Sequence, residues 1–169
     1  DGIEDWRDDW VFGEEATLSL YTPPSKGSSF DAETVLARMK QRFDEYLTHL
    51  DFSQGDYTFF FPPYSALYWN YAFGAGNGET YLEFKAYAER MLLGYENVRI
   101  FDFQNAPFIT DLNNYKDYTH YAPEINDRML GCFASGEYLV TEAASTENLL
   151  GATQAQVAQL LEQYPQIPE

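Results

Sequence analysis

Residues 57–63, YTFFFPP, and residues 98–103, VRIFDF, decide the fold. Each is a short apolar run of aromatic and β-branched residues. Pro62-Pro63 stops the first, because proline has no N–H for a ladder. Short runs that are apolar without alternation read as parallel strands buried on both faces. Between them, Thr80 and Glu83 have the spacing of a capping box. Tyr81, Phe84, Tyr87, Ala88, Met91 and Leu92 then fall near one side of a helix that Gly94 ends. Strand, crossover helix and strand make a βαβ unit, with parallel strands and a right-handed crossover.

Outward from that unit, residues 31–50 carry apolar side chains at Ala32, Val35, Leu36, Met39, Phe43, Tyr46, Leu47 and Leu50. This is the stripe of a helix packed on a core, with Ser29 or Asp31 to cap its start. Residues 16–21 read as a short strand, 22–29 as loop, and 64–79 as a long aromatic loop. Residues 104–121 are expected to be loop. A helix opens at Pro123, with Ile125, Met129, Leu130 and Phe133 inward. Residues 137–141 read as a small edge strand and 145–150 as a helical turn. Thr153 and Gln156 open a last helix, which Pro165 closes.

The fold class is therefore α/β, a partial doubly wound parallel sheet with flanking helices. Doubly wound sheets have about five or more strands, and here two are firm. Residues 1–169 read as a single α/β domain, and the thin sheet and missing initiator Met mark it as the C-terminal part of a larger one. An upstream segment of the same protein, or a second copy, is expected to cover the sheet edge, because open ladder groups are costly. Residues 1–15 form an acidic, aromatic N-terminal segment, with seven carboxylates around Trp6, Trp10 and Phe12.

Composition excludes several functions. The net charge is −17, and no Lys/Arg cluster exists to neutralise phosphates. Nucleic acid is not an expected partner, and the field repels an anionic membrane surface. No apolar run is long enough to span a bilayer. The single cysteine, Cys132, makes neither an internal disulfide nor a thiolate zinc site; its apolar neighbours mark a buried, inert thiol. Neither a metal nor a cofactor is expected. Aromatic residues make up 18% of the chain. Tyr-rich sequences serve sugar- or peptide-facing surfaces, and equally a core with wet tyrosine tips.

Imidazole chemistry has two candidates. His49 lies near the end of the long helix, where a cation suits the dipole. His120 lies in Asp117-Tyr118-Thr119-His120, in the loop after the second strand, and sites in open α/β sheets form at the carboxyl ends of strands. An Asp three residues before a His can turn back onto one ring nitrogen and leave the other as a base. Gly74, Gly76 and Gly78 lack the spacing and the preceding strand of a phosphate loop. Asp111-x-Asn113-x-Tyr115-x-Asp117 lacks the central Gly and closing Glu of a calcium loop.

The segment DLNNYKDYTHYAPEIND, residues 111–127, resembles the last conserved block of the SGNH/GDSL hydrolase superfamily. FFFPPYS, residues 59–65, resembles that family's fourth parallel strand, and 98–103 would be the fifth. The similarity spans roughly residues 31–135, and its nearest flavour is that of bacterial SGNH-like proteins distantly similar to polysaccharide O-acetyl-modifying enzymes. It implies that His120 is a general base and Asp117 its orienting partner in a Ser-His-Asp triad. It further implies an esterase, acyl hydrolase or O-acyltransferase acting on O-acyl groups of a cell-surface glycan, at an extracytoplasmic address. Tyr64, Ser65, Tyr68 and Trp69 would line the substrate pocket, with the aromatic rings as a rim for the polysaccharide. The family's nucleophile and oxyanion blocks have no counterpart here, and Gly27-Ser28-Ser29 is set apart from any strand by Pro23-Pro24. The family order places those blocks before residue 1. The rival expectation is a non-catalytic α/β binding module for a glycan or a protein partner.

Overall fold

The computed structural model describes residues 10–25 and 31–168. Among them are six α-helices and a two-stranded parallel sheet, with 57% of the chain helical. The strands are β1 (Tyr57–Phe61) and β2 (Val98–Asp102), in register Phe59↔Ile100. The βαβ reading holds: the helix Gly78–Leu92 joins these adjacent parallel strands.

In chain order the helices are α1 (Glu14–Leu20), α2 (Ala32–Leu47), α3 (Ala66–Gly74), α4 (Gly78–Leu92), α5 (Pro123–Ser135) and α6 (Thr146–Gln163). Alternation along the strands gives each sheet face its own partner. Tyr57, Phe59, Phe61, Val98 and Ile100 cluster with Leu92 of α4 and with Phe43 and Leu47 of α2. On the other face, Phe60 and Phe101 meet Phe133 of α5, with ring centroids 5.8 and 4.9 Å apart. α6 packs on α3 and α4 and buries Leu149, Val157 and Leu160.

α2 and α4 run side by side in the same direction. Lys40 reaches Glu83 at 3.2 Å, and one turn further on the Tyr87 hydroxyl donates to Asp44 at 2.6 Å. Phe43 packs edge-on against Phe84 at 5.7 Å.

Several expectations are corrected. Residues 16–21 are helical rather than a strand. Glu14 and Glu15 favour a helix N-terminus, and the buried Thr17 hydroxyl bonds the Tyr115 carbonyl at 2.8 Å. Part of the supposed loop 64–79 is α3, capped by Ser65, whose Oγ accepts from the Tyr68 amide. ALYWNYAFG is apolar on nearly every side, so it has no stripe to betray a helix. α4 starts before Thr80, and Glu83 is engaged with Lys40, so no Thr80–Glu83 box forms. The supposed turn and last helix are one helix, α6. Ser145 caps it, and Thr153 lies mid-helix, its hydroxyl on the Leu149 carbonyl at 2.8 Å. Residues 104–121 hold three short 3-10 turns, at Phe103–Asn105, Pro107–Thr110 and Leu112–Asn114. Asp31 caps α2; Ser29 and the Gly27-Ser28-Ser29 string lie outside the described residues.

The two edges of the sheet differ. Beside β2, residues 137–141 make only a single antiparallel bridge, Phe101↔Leu139. It is reinforced by the Val140 amide on the Ile100 carbonyl at 2.8 Å and the Asp102 amide on the Tyr138 carbonyl at 2.9 Å. β1 carries no neighbour on its other side among the described residues. It is not buried on both faces as expected: Thr58 is exposed and Phe60 is 44% exposed.

One ion pair ties α4 to the end of β2. The Lys85 ammonium meets Asp102 at 2.7 Å, with the side chains only 4% and 9% exposed. It also donates to the Gln104 side chain at 3.2 Å and lies 5.0 Å from the Phe61 ring centroid. A buried pair is worth little against an apolar one, but removing one partner strands a charge. Asp102→Ala is therefore expected to cost ~3–5 kcal/mol in urea unfolding. The double change Lys85→Met, Asp102→Leu should recover most of that loss.

Candidate functional site

Two loops leave the carboxyl ends of the strands and are fastened together. The loop after β1 is Pro62-Pro63-Tyr64-Ser65. The Tyr115 hydroxyl, on a fully buried side chain, donates to the Pro63 carbonyl at 2.7 Å. Ser65 donates both its amide, at 3.2 Å, and its Oγ, at 2.8 Å, to the Tyr118 carbonyl. The second loop also closes on itself through the bridge Tyr115↔Tyr121 and the Lys116 amide on the His120 carbonyl at 2.9 Å.

Within that closed loop Asp117 forms an Asx-type turn. Its Oδ1 accepts from the amides of Thr119 at 2.8 Å and His120 at 2.9 Å, and from the Thr119 hydroxyl at 3.0 Å. Its Oδ2 meets His120 Nδ1 at 2.7 Å. A carboxylate oxygen only accepts, so Nδ1 is the donating nitrogen, and in the neutral ring the lone pair is on Nε2. Nε2 has no hydrogen-bond partner among the described residues. The His120 side chain is 56% exposed. It lines a cleft of about 350 Å³ with Trp10, Pro62, Tyr64, Thr119 and Tyr121.

Partial burial pushes the Asp117 carboxyl up. The hydrogen bonds from both amides, the ring and the hydroxyl outweigh it and hold the group below its ordinary value. Burial raises the phenols of Tyr68 and Tyr121, so both remain hydroxyls at neutral pH.

The other expected site residues divide. Tyr64 lines the cleft. Ser65 does not: it is fully buried, and its Oγ is used on Tyr118 and as the cap of α3. Trp69 is 2% exposed and belongs to the core with Leu82, Ala86, Leu149 and Val157. Tyr68 is part-buried and stacks on Tyr118 with centroids 6.3 Å apart. The aromatic walls that the sequence reading missed are Tyr121 and Trp10. Tyr121 adjoins His120 and was legible by that adjacency. Trp10 stands edge-on to the His120 ring at 5.4 Å and has the Lys116 ammonium 4.0 Å from its centroid. No sequence signal links Trp10 to a histidine so far away.

No protein-family model matches the chain, and neither the curated proteins nor the solved structures contain a match to it. Among the described residues, no helix is long and apolar enough to cross a membrane. Nor do these residues form a group of three or more His, Cys, Asp or Glu side chains that could hold a metal ion.

Asp117 sets the pH response of the loop. A depressed folded-state value stabilises the fold above the ordinary carboxylate pKa of 3.8, and this stability is lost as pH falls through the depressed value. A carbon-13 NMR titration of the Asp117 carboxyl should give a midpoint below 3.8. The loop should stay intact at pH 5 and come apart only below that midpoint. A midpoint above 3.8 would contradict the bonded turn.

Proposed function

We propose that Asp117 and His120 are the base half of an acyl-transfer site. The protein is then an SGNH-like esterase, acyl hydrolase or O-acyltransferase component in a doubly wound α/β fold. The observation that carries this reading is the 2.7 Å contact from Asp117 to His120 Nδ1, on a ring whose side chain opens into a cleft. Asp117 fixes the tautomer and stabilises the imidazolium that forms during turnover. Nε2 takes the proton of an attacking hydroxyl and returns it to the leaving alcohol. The similarity of residues 111–127 to the SGNH/GDSL block supports the same assignment. It extends to O-acyl groups of a cell-surface glycan as substrate and to an extracytoplasmic address. Tyr64, Tyr121 and Trp10 would give a sugar ring apolar faces to rest on.

A second reading has one observation in its favour. Thr119 supplies the only aliphatic hydroxyl lining the cleft among the described residues, and it bonds Asp117 and the Nδ1 side of the ring. With no other nucleophile, the cleft would be that of a binding module for a glycan or protein partner.

Hydrolysis of an aryl acetate by the native gene product separates the two. His120→Ala should lower the rate by about 10²–10⁴-fold, the usual worth of a general base, with the thermal unfolding midpoint unchanged. A parent-like rate in His120→Ala leaves only the binding reading.

A further inference from the structure

We infer that a second groove, between residues 22–25 and the rings of Tyr71 and Tyr118, binds a chain of uncharged sugars, and that a row of tyrosines leads the bound chain from there into the His120 cleft. The groove serves a catalytic site and a binding module alike. That the chain brings an acyl group to His120 rests on the acyl-transfer reading, and the substrate is then a polymer and not a free sugar.

The row starts on α3. Tyr68 and Tyr71 are three residues apart on this helix, so they share a face. Tyr64, just before the cap, has its ring centroid 4.8 Å from that of Tyr68. The Tyr118 ring stacks on both helix residues: on Tyr68 at 6.3 Å, and on Tyr71 at 5.6 Å with the planes only 8° apart. Tyr64, Tyr68, Tyr118 and Tyr71 therefore form one unbroken row. Tyr64 lines the His120 cleft at one end, and Tyr118 and Tyr71 line the groove at the other. All four are part-exposed, whereas Leu67, Trp69 and Ala72 of the same helix are buried. α3 gives its aliphatic side chains and its tryptophan to the core and keeps its tyrosines at the surface.

Both walls of the groove are held in place. Its volume is about 390 Å³, and residues 22–25 face the two rings across it. This stretch is fastened to α3: Asn70 donates to the Tyr21 hydroxyl at 3.1 Å, and Pro24 lies so close to Gly74 that a Cβ there would be 2.8 Å from it. The Tyr21 ring stands edge-on to Tyr118 at 6.4 Å. On the other wall, the Tyr118 carbonyl accepts both bonds from Ser65. Tyr118 and His120 thus ride on one pinned loop, the first ring in the groove and the second in the cleft.

The lining selects the occupant. Among the described residues, no charged side chain lines the groove. It offers aromatic rings, Pro23, and the hydroxyls of Thr22, Ser25, Tyr71 and Tyr118. A pyranose has C–H groups on its faces and hydroxyls around its rim, so it takes a ring beneath it and hydroxyls beside it. A proline-rich peptide would use the rings and leave those hydroxyls unmatched. An acidic polymer is turned away by the net charge of −17. Neighbouring rings of the row lie 4.8 to 6.3 Å apart, a step of the size of one sugar. The chain therefore continues unit by unit past Tyr118 and Tyr68 to Tyr64, where one unit meets His120.

The test is calorimetric titration of the protein with cellohexaose, chitohexaose and mannohexaose, each beside its own disaccharide, and with decaproline. At least one hexaose should bind about 10-fold or more tightly than its disaccharide, which cannot occupy groove and cleft together. Tyr71→Ala should weaken that binding by roughly 10-fold, the loss of one stacking ring, and Tyr71→Phe should restore most of it. In the unaltered protein, where no folding defect intervenes, the bound hexaose should shift the NMR signals of the Tyr71, Tyr118 and His120 rings together. Four results would overturn the groove: no hexaose bound at millimolar concentration, a hexaose no tighter than its disaccharide, parent-like binding by Tyr71→Ala, or decaproline bound there more tightly than any hexaose. The two readings fail separately. Hexaose binding without His120-dependent hydrolysis of an aryl acetate keeps the groove and removes the acyl-transfer site. His120-dependent hydrolysis without hexaose binding does the reverse.

Discussion

The hydrogen bond from the Tyr115 hydroxyl to the Pro63 carbonyl holds together the two loops that leave the carboxyl ends of the strands. A buried carbonyl without a partner costs roughly as much as a hydrogen bond to charge gains, ~1–3 kcal/mol. Pro62 and Pro63 have no amides and cannot join a ladder, so the turn after β1 needs support from elsewhere. Tyr115 gives it, and Ser65 completes the clamp by donating twice to the Tyr118 carbonyl. Tyr64 and His120, far apart in sequence, face one cleft because of these bonds. Ser65 is thus spent on architecture. A serine in the right place for chemistry is unavailable to it when its Oγ already donates to one loop and caps a helix in the other.

The distribution of charge follows a similar division. The chain carries 27 acidic and 10 basic side chains. Three cations hold elements together: Lys85 neutralises buried Asp102, Lys40 pairs with Glu83, and Lys116 covers the Trp10 ring. Glu89, 1% exposed, has its carboxyl pushed up by burial and accepts the Ala144 amide at 3.0 Å. Most of the other acidic side chains among the described residues are exposed. A field of that sign weights the cleft toward neutral or cationic ligands and away from anionic ones.

What could be read from sequence depended on whether the signal was local and periodic. The two strands, the stripes of α2 and α4, and the proline opening of α5 are all of that kind. α3 escaped because a helix apolar all round has no period, and α1 because a distant bond from Thr17 to Tyr115 overrides its strand-like composition. The extent of α6 escaped because Thr153 and Gln156 imitate a cap in mid-helix. The site divides in the same way. Asp117 and His120 were legible because three residues suffice to turn a carboxylate back onto a ring. Trp69 was misplaced because a tryptophan's place, core or rim, depends on which face of its helix is covered. Trp10 reaches the cleft only by tertiary folding.

The same contrast explains how an exposed histidine can be held in a fixed pose. Apolar packing orients a side chain by burying it, and a buried imidazole could not meet a substrate. At residues 115–121 orientation comes from backbone and hydroxyl bonds instead. The loop is pinned at both ends by the Tyr115–Tyr121 bridge, and at its middle by Ser65. Asp117 is fixed by two amides before it meets the ring. The carboxylate is therefore set in place by backbone amides and a hydroxyl, without help from the His120 ring, and the ring needs only one strong bond, at 2.7 Å, to choose its tautomer and its pose. Pre-organisation of this kind leaves most of the imidazole open to the cleft without giving up its alignment.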